Sequence, residues 1–310
     1  MPDDERDFSL RIAGALTAYA CGDALGLPWE QFPPAGASTA EIEALPAREG
    51  WQRGATSDDT ALTLLVAQHL ADHNGGADAR AFLQTLAAQA ESIQGLGPST
   101  TRAIKHFRAT GELPIGGGTT NGAPMRALPV GWATPLDDPD RRRRLAIELT
   151  RTTHPAPDAL AAACVVAACA SGSLEGAAGR LLLDVAIGEE PLARSTCGAS
   201  DRLGVMLASL AAATWQPPTQ GISLDPAETV TAALACTLRA SSLRDGLVQA
   251  VGMGGDTDTV AAITGGLLGA RLTVTDVLAE LPWHAAVRLP DAVFVTETAS
   301  ALTAVRASTI

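Results

Sequence analysis

The sequence predicts an all-α protein, and two observations carry that prediction. Hydrophobic residues make up 46% of the 310 residues while aromatic residues make up 4%. Ala and Leu dominate, so helix formers abound and strand formers are scarce. Apolar residues also recur at helical spacing: Leu62, Leu65, Val66 and His69 fall at i, i+3, i+4 and i+7, one stripe along a helix.

The elements follow in order. Helices are expected at about residues 8–26, 58–73, 78–92, 99–109, 139–153, 156–171 and 174–187, then at 200–214, 226–240, 242–252, 258–270, 274–280 and 295–306. The first is stopped by the Gly-Leu-Pro turn at Gly26 to Pro28, since proline cannot continue a helix. Segments rich in Pro and Gly read as loops at 28–56, 111–124, 134–139, 188–199 and 215–225. No repeat period, low-complexity tract or linker divides the chain, so residues 1–310 are expected to form one domain.

Charge and cysteine usage narrow the function classes. The formal net charge of −12 argues against a phosphate-backbone binder, so no nucleic-acid partner is expected. The basic run Arg141 to Arg144 follows an acidic stretch and reads as the solvated face of a helix beginning near Asp140. Cys21, Cys164, Cys169, Cys197 and Cys236 are scattered, odd in number and without zinc-like spacing, as in a reduced cytoplasmic protein. The opening MPDDERDFSL lacks the basic and apolar regions of a signal peptide. The longest apolar run, Ala159 to Ala170, falls short of the roughly 20 residues of a membrane span, so no membrane partner is expected either.

Polar chemistry gathers at a few places. "GATSDDTALTLLVAQHL" and "GGDTDTVAAITGGLLGA" each place a glycine, then hydroxyls and two acids, ahead of an apolar helix. Helix capping accounts for one such residue at each helix start. It leaves the others of Ser57, Asp58, Asp59 and Thr60, and of Asp256, Asp258 and Thr259, without a role. Residues i and i+2 of an irregular helix start point the same way, so Asp256 and Asp258 can address one point. Hard divalent cations want several oxygen ligands, and four aspartates on two helix starts suit a pair of them.

DTDTV, starting at Asp256, also matches the two acids of the DxDxT pattern of haloacid-dehalogenase-type phosphatases, with Val260 in the place of its threonine. Those enzymes place it at the end of a strand near the start of a domain. Here it lies late, in helical surroundings, and the single lysine, Lys105, stands far upstream. Asp23 and Glu30 flank the turn that ends the first helix. Two Gly-rich loops, 94–103 and 116–129, offer backbone N–H groups of the kind that cradle phosphate. His154 precedes a helix and serves either as a structural cap or as a ligand contact.

Taken in order, "GDALGLPWE", "SDDTALTLL", "GLGPSTTRAI", "NGAPMRALPVG", "TH" and "GGDTDTVAAITGGLLGA" resemble the ADP-ribosylglycohydrolase family, also called the dinitrogenase-reductase-activating glycohydrolase family. The resemblance runs from about residue 11 to 270. It implies a compact, orthogonal multi-helix bundle with two Mg²⁺ ions, or Mn²⁺, in a central cleft. It further implies metal ligands at Ser57, Asp58, Asp59, Asp256, Asp258 and Thr259. Glu30 would be the mobile catalytic acid, with the metal-bound Asp58, Asp59 and Asp258 sharing the chemistry. Gly95, Gly97, Ser99 and Thr100, with Gly117, Gly118, Thr119, Asn121, Gly122 and Met125, would hold a diphosphate, and His154 would approach a ribose.

The implied activity is metal-dependent hydrolysis of the glycosidic bond between ADP-ribose and a modified protein side chain. A small ADP-ribosylated or N-ribosylated metabolite is the alternative substrate, and a non-catalytic ADP-ribose binder the alternative class. Three departures stand out. Ser57 replaces the family's Thr and keeps the hydroxyl. Gly95 falls where arginine-directed members carry an Asp, and Pro124 removes a donor from the second loop.

Overall fold

A computed structural model describes residues 3–34 and 36–308, and the regular elements within them are helices. In chain order these are α1 (Asp3–Gly26), α2 (Thr39–Glu43), α3 (Asp58–Asp72), α4 (Ala79–Gln89), α5 (Pro98–Thr110), α6 (Leu128–Trp132), α7 (Pro139–Thr150) and α8 (Pro157–Leu174). There follow α9 (Arg180–Cys197), α10 (Arg202–Ala211), α11 (Pro226–Arg239), α12 (Leu243–Gly252), α13 (Thr257–Gly269), α14 (Val274–Glu280) and α15 (Ala292–Ala307). Among the described residues the only β-type pairing is an isolated parallel bridge between Ile222 and Gly255.

The expected all-α class therefore holds, and each of the thirteen expected helices overlaps an observed one, eleven of them nearly end to end. Capping explains many of the boundaries. Asp78, Asp138, Asp225, Ser242 and Asp291 each accept a backbone N–H of the turn they precede.

The segment 28–56, expected as a loop, holds the short capped helix α2, and two further expectations fail. Residues 174–179 are the end of α8 and a turn, and 188–199, expected as a loop, is mostly the second half of α9. Pro191 sits inside that helix. Its cost is outweighed by packing: Glu189, Glu190 and Ala193 turn inward from the same stretch. The partner of Glu189 explains the second failure. Arg142 and Arg143, expected in solvent, are 2% and 7% exposed. Arg143 Nε lies 2.7 Å from Glu189 Oε1, and Arg142 donates to the carbonyl of Pro135. A run of four arginines on a helix cannot present one face, so its inner members need internal acceptors.

The interior is organised by α8 and by the pair α1 and α13. α8 is 18 residues long with a mean hydropathy of 1.5, long and apolar enough to cross a membrane by composition alone, yet 83% of it is buried inside the protein. It is a core helix, wrapped by α6, α7, α9 and α11. α1 and α13 form the closest helix pair. Small residues allow this: a Cβ on Gly22 would overlap the carbonyl of Ala261, one on Gly26 that of Thr257, and one on Gly265 that of Ala18. The buried cluster around them includes Ile12, Leu16, Tyr19, Leu62, Val66, Trp132 and Ile263.

Candidate metal centre and active site

At the start of α3, capping and chemistry are divided between different residues. Ser57 is extended and its Oγ accepts from Asp59 N at 3.1 Å. Asp23, fully buried on α1, accepts from Ser57 N at 2.9 Å, Thr60 N at 3.1 Å and Thr60 Oγ1 at 2.5 Å. Because Asp23 and Ser57 satisfy the orphan donors, the Asp58 and Asp59 carboxylates are free of that task. Asp59 Oδ2 is buried and without a hydrogen-bond partner.

The start of α13 is built differently. Asp256 occupies the cap position, but its side chain caps nothing. Gly254 and Gly255 hold φ of +68° and +76°, and a Cβ on either would overlap neighbouring backbone, that of Pro33 and Pro34 or that of Ile222. Their peptides bind both flanks: Gly255 N donates to Phe32 O, Gln31 N to Gly255 O, and Asp256 N to Ile222 O, at 2.7 to 2.9 Å. Thr257 Oγ1 donates to Gly26 O at 2.8 Å, and Asp258 Oδ1 accepts from Thr259 N at 3.0 Å. Asn121 Nδ2 donates to Asp256 Oδ2 and, at 2.8 Å, to Thr229 Oγ1.

The two starts converge. Carboxylate oxygens of Asp23, Asp59 and Asp258 lie within 4.8 Å of one another, as do those of Glu30, Asp256 and Asp258. Asp258 belongs to both trios. Burial, followed by Asp258, holds Asp59 well above the usual carboxylate range, and burial, followed by Asp256, does the same to Asp258. Burial pushes Asp23 up to about 6 and, joined by Asp23, pushes Asp58 up to about 7. Asp256 is pushed up to about 7, again chiefly by burial. So many buried anions are compatible only with protons or with cations between them. The orphaned Asp59 oxygen and an all-oxygen donor set fit hard divalent cations.

The remaining predicted residues surround this cluster at different depths. Ser57 and Thr259 are buried beside it; Asp58, half-buried, accepts from Gly97 N at 3.4 Å. Glu30 ends the 3₁₀ turn Leu27–Trp29, and Arg48 Nη1 pins its Oε2 at 2.6 Å. Both line a cleft of about 760 Å³ with Trp29, Phe32 and Glu49. Gly95 and Gly97 precede α5, with Ser99 half-buried and Thr100 buried. Gly117 and Thr119 are exposed, whereas Gly118, Asn121, Gly122 and Met125 lie beneath the surface, and Met125 O accepts from Tyr19 OH at 2.9 Å.

His154 is 2% exposed, with Nε2 3.1 Å from Thr120 Oγ1 and Nδ1 2.8 Å from Thr153 Oγ1. Burial and the cationic Arg126 hold it down to about 3, so it is neutral. Sequence reasoning gave no role to Asp23, Arg48, Thr120 or Arg126. Of these, Asp23 alone carried a signal, an acid inside the apolar second half of α1.

The family profile described as ADP-ribosylglycohydrolase matches residues 4–308. The chain belongs to the ADP-ribosylglycohydrolase family. A solved structure named ADP-ribosylglycohydrolase-related protein complex superposes with a TM-score of 0.78 at 26% identity, covering 96% of this chain and 98% of that one. The uncharacterized protein YegU of Escherichia coli strain K12 is 29% identical over 199 residues, 56% of this chain and 57% of its own length. The chain thus spans little more than half of that curated relative.

Proposed function

We propose that this ADP-ribosylglycohydrolase is Mg²⁺-dependent and releases ADP-ribose from a modified protein side chain. The observation that carries the reading is the pair of carboxylate trios sharing Asp258, with the Asp59 oxygen left unpartnered. Ser57, Asp58, Asp59, Asp256, Asp258 and Thr259 would hold two Mg²⁺, or Mn²⁺, with Asp23 fixing the α3 side from behind. Bound there, the cations would supply a grip on the ribose hydroxyls and an acidified water.

The chain's own residues do the rest. Cleavage at the anomeric carbon passes through an oxocarbenium-like transition state and calls for a proton donor and acceptor. Glu30 stands at the rim with Oε2 held by Arg48 at 2.6 Å, and Oε1, which accepts only a long bond from Gln31 Nε2 at 3.4 Å, takes and returns the proton. The backbone of 95–100 and 117–122 flanks the diphosphate.

One observation favours a second reading of the substrate. A side chain at Gly95 would meet the Trp51 ring at 3.0 Å and Asp58 Oδ1 at 3.3 Å. The position that carries an acid in arginine-directed relatives is thus closed here. This supports a linkage other than arginine, including that of a small ADP-ribosylated metabolite.

Turnover assays with and without Mg²⁺, on arginine-linked and serine-linked protein substrates and on small ADP-ribosylated compounds, separate the readings. Hydrolysis of a protein substrate only with Mg²⁺ supports the first. Activity confined to small compounds supports the second. ADP-ribose binding without turnover on any substrate would leave a non-catalytic binder and sink both.

A further inference from the structure

Arg126 is fully buried, yet none of its hydrogen-bond partners is an acid. Its Nη1 donates to Gly122 O at 2.7 Å, and its Nη2 donates to Thr150 O at 3.2 Å and to Thr153 Oγ1 at 2.8 Å. A guanidinium only donates, so Thr153 Oγ1 accepts from it. The other partner of that hydroxyl among the described residues is His154 Nδ1. If Nδ1 carried the proton, two donors would meet on one oxygen and the buried Thr153 hydroxyl hydrogen would have no acceptor. The hydroxyl therefore donates to Nδ1.

A neutral imidazole with Nδ1 as acceptor carries its proton on Nε2. His154 Nε2 accordingly donates to Thr120 Oγ1. No acceptor for the Thr120 hydroxyl hydrogen is found among the described residues, and Thr120 is half-exposed in the loop whose next residue, Asn121, reaches Asp256.

We infer that Arg126, Thr153 and His154 form a one-way hydrogen-bond relay that orients the Thr120 hydroxyl as a donor to an anionic oxygen of the bound ligand. The ligand half rests on the reading that the cleft takes a ribosyl diphosphate. Thr120 is then the ligand contact, while Arg126, Thr153 and His154 are positioning residues. This differs from the sequence expectation that His154 itself meets the ribose. The ring is sealed between two threonines, and Gly122 packs so closely on it that a Cβ there would overlap Cε1.

Two measurements test the relay. In ¹⁵N-histidine-labelled protein, with His154 assigned by loss of its signals in His154→Gln, the expected spectrum shows Nε2 protonated and Nδ1 bare. Thr153→Val should mix the tautomers and Thr153→Ser should restore the wild-type pattern, with helical circular dichroism confirming the fold of each. A protonated Nδ1 in the wild type, or no change in Thr153→Val, overturns the relay.

Calorimetric titration of ADP-ribose with Mg²⁺ tests the donor. Thr120→Val should weaken binding roughly 10- to 100-fold, the range for a hydrogen bond to a charged acceptor, and Thr120→Ser should rescue it. Equal affinity of wild type and Thr120→Val overturns the inference. A wild type that binds no ADP-ribose at all refutes instead the functional reading, and with it the ligand half.

Discussion

The starts of α3 and α13 carry nearly the same residues and are held by opposite means. At α3, side chains do the work: Ser57 caps, and Asp23 reaches across from α1 to gather three donors. At α13, the cap position makes no side-chain cap, and the backbone is stitched on both flanks through two glycines in left-handed conformation. The acids on each are freed for the same purpose. A shared sequence device therefore predicts shared chemistry, and says little about shared support.

The comparison breaks first at the residue common to both trios. Asp258→Asn should abolish turnover and weaken Mg²⁺ binding by more than the roughly 10- to 100-fold typical of losing a supporting group. The same variant should raise the melting temperature of the metal-free protein, because one of several repelling buried anions is gone. A lowered metal-free melting temperature would contradict that account.

Removing the cations should expose the repulsion directly. In the folded protein Asp23 titrates at about 6, and Asp58 and Asp256 at about 7, whereas an unfolded carboxylate releases its proton near roughly pH 4. The folded state then binds more protons than the unfolded one, so stability falls as pH rises from roughly 4 to 7. Thermal melts in a chelator should follow that slope, and Mg²⁺ should restore the melting temperature at pH 8. A stability that instead rises over that range would mean that the carboxylates are already compensated without metal.

Gly255→Ala should cost about 3 kcal/mol by denaturant unfolding, from a strained φ and from overlap with Ile222. Asn121→Ala should leave the fold in place and weaken Mg²⁺ binding roughly 10- to 100-fold, since its amide orients Asp256. Ser57→Ala should be mildest in stability, about 1 kcal/mol, because Asp23 keeps most of the α3 donors satisfied. Equal costs for Ser57→Ala and Gly255→Ala would erase the contrast between the two helix starts.

These differences mark what sequence could and could not reveal. Helix positions were legible because apolar spacing and caps are local. The acid pairs were legible because four aspartates exceed what capping requires. Asp23 as a tie for α3, and Arg48 as the partner of Glu30, depend on contacts between distant segments. α9 was misread because Pro191 signals a break, while the buried pair of Glu189 with Arg143 that outweighs it leaves no local trace. The same pair hid the burial of Arg143 within the arginine run.

The close joint between α1 and α13 has a further consequence for how such a protein diversifies. Asp23 and the Asp256–Asp258 pair sit on two helices whose backbones touch, so the charge cluster is built on a closely packed helix pair. Residues 30–34, 94–97 and 116–122 lie outside that pair, in the connections after α1, between α4 and α5, and between α5 and α6. On the proposed function, substitutions in those connections would change the group that is released while the packed carboxylate cluster beneath stays in place, so new specificities need not reinvent the reaction.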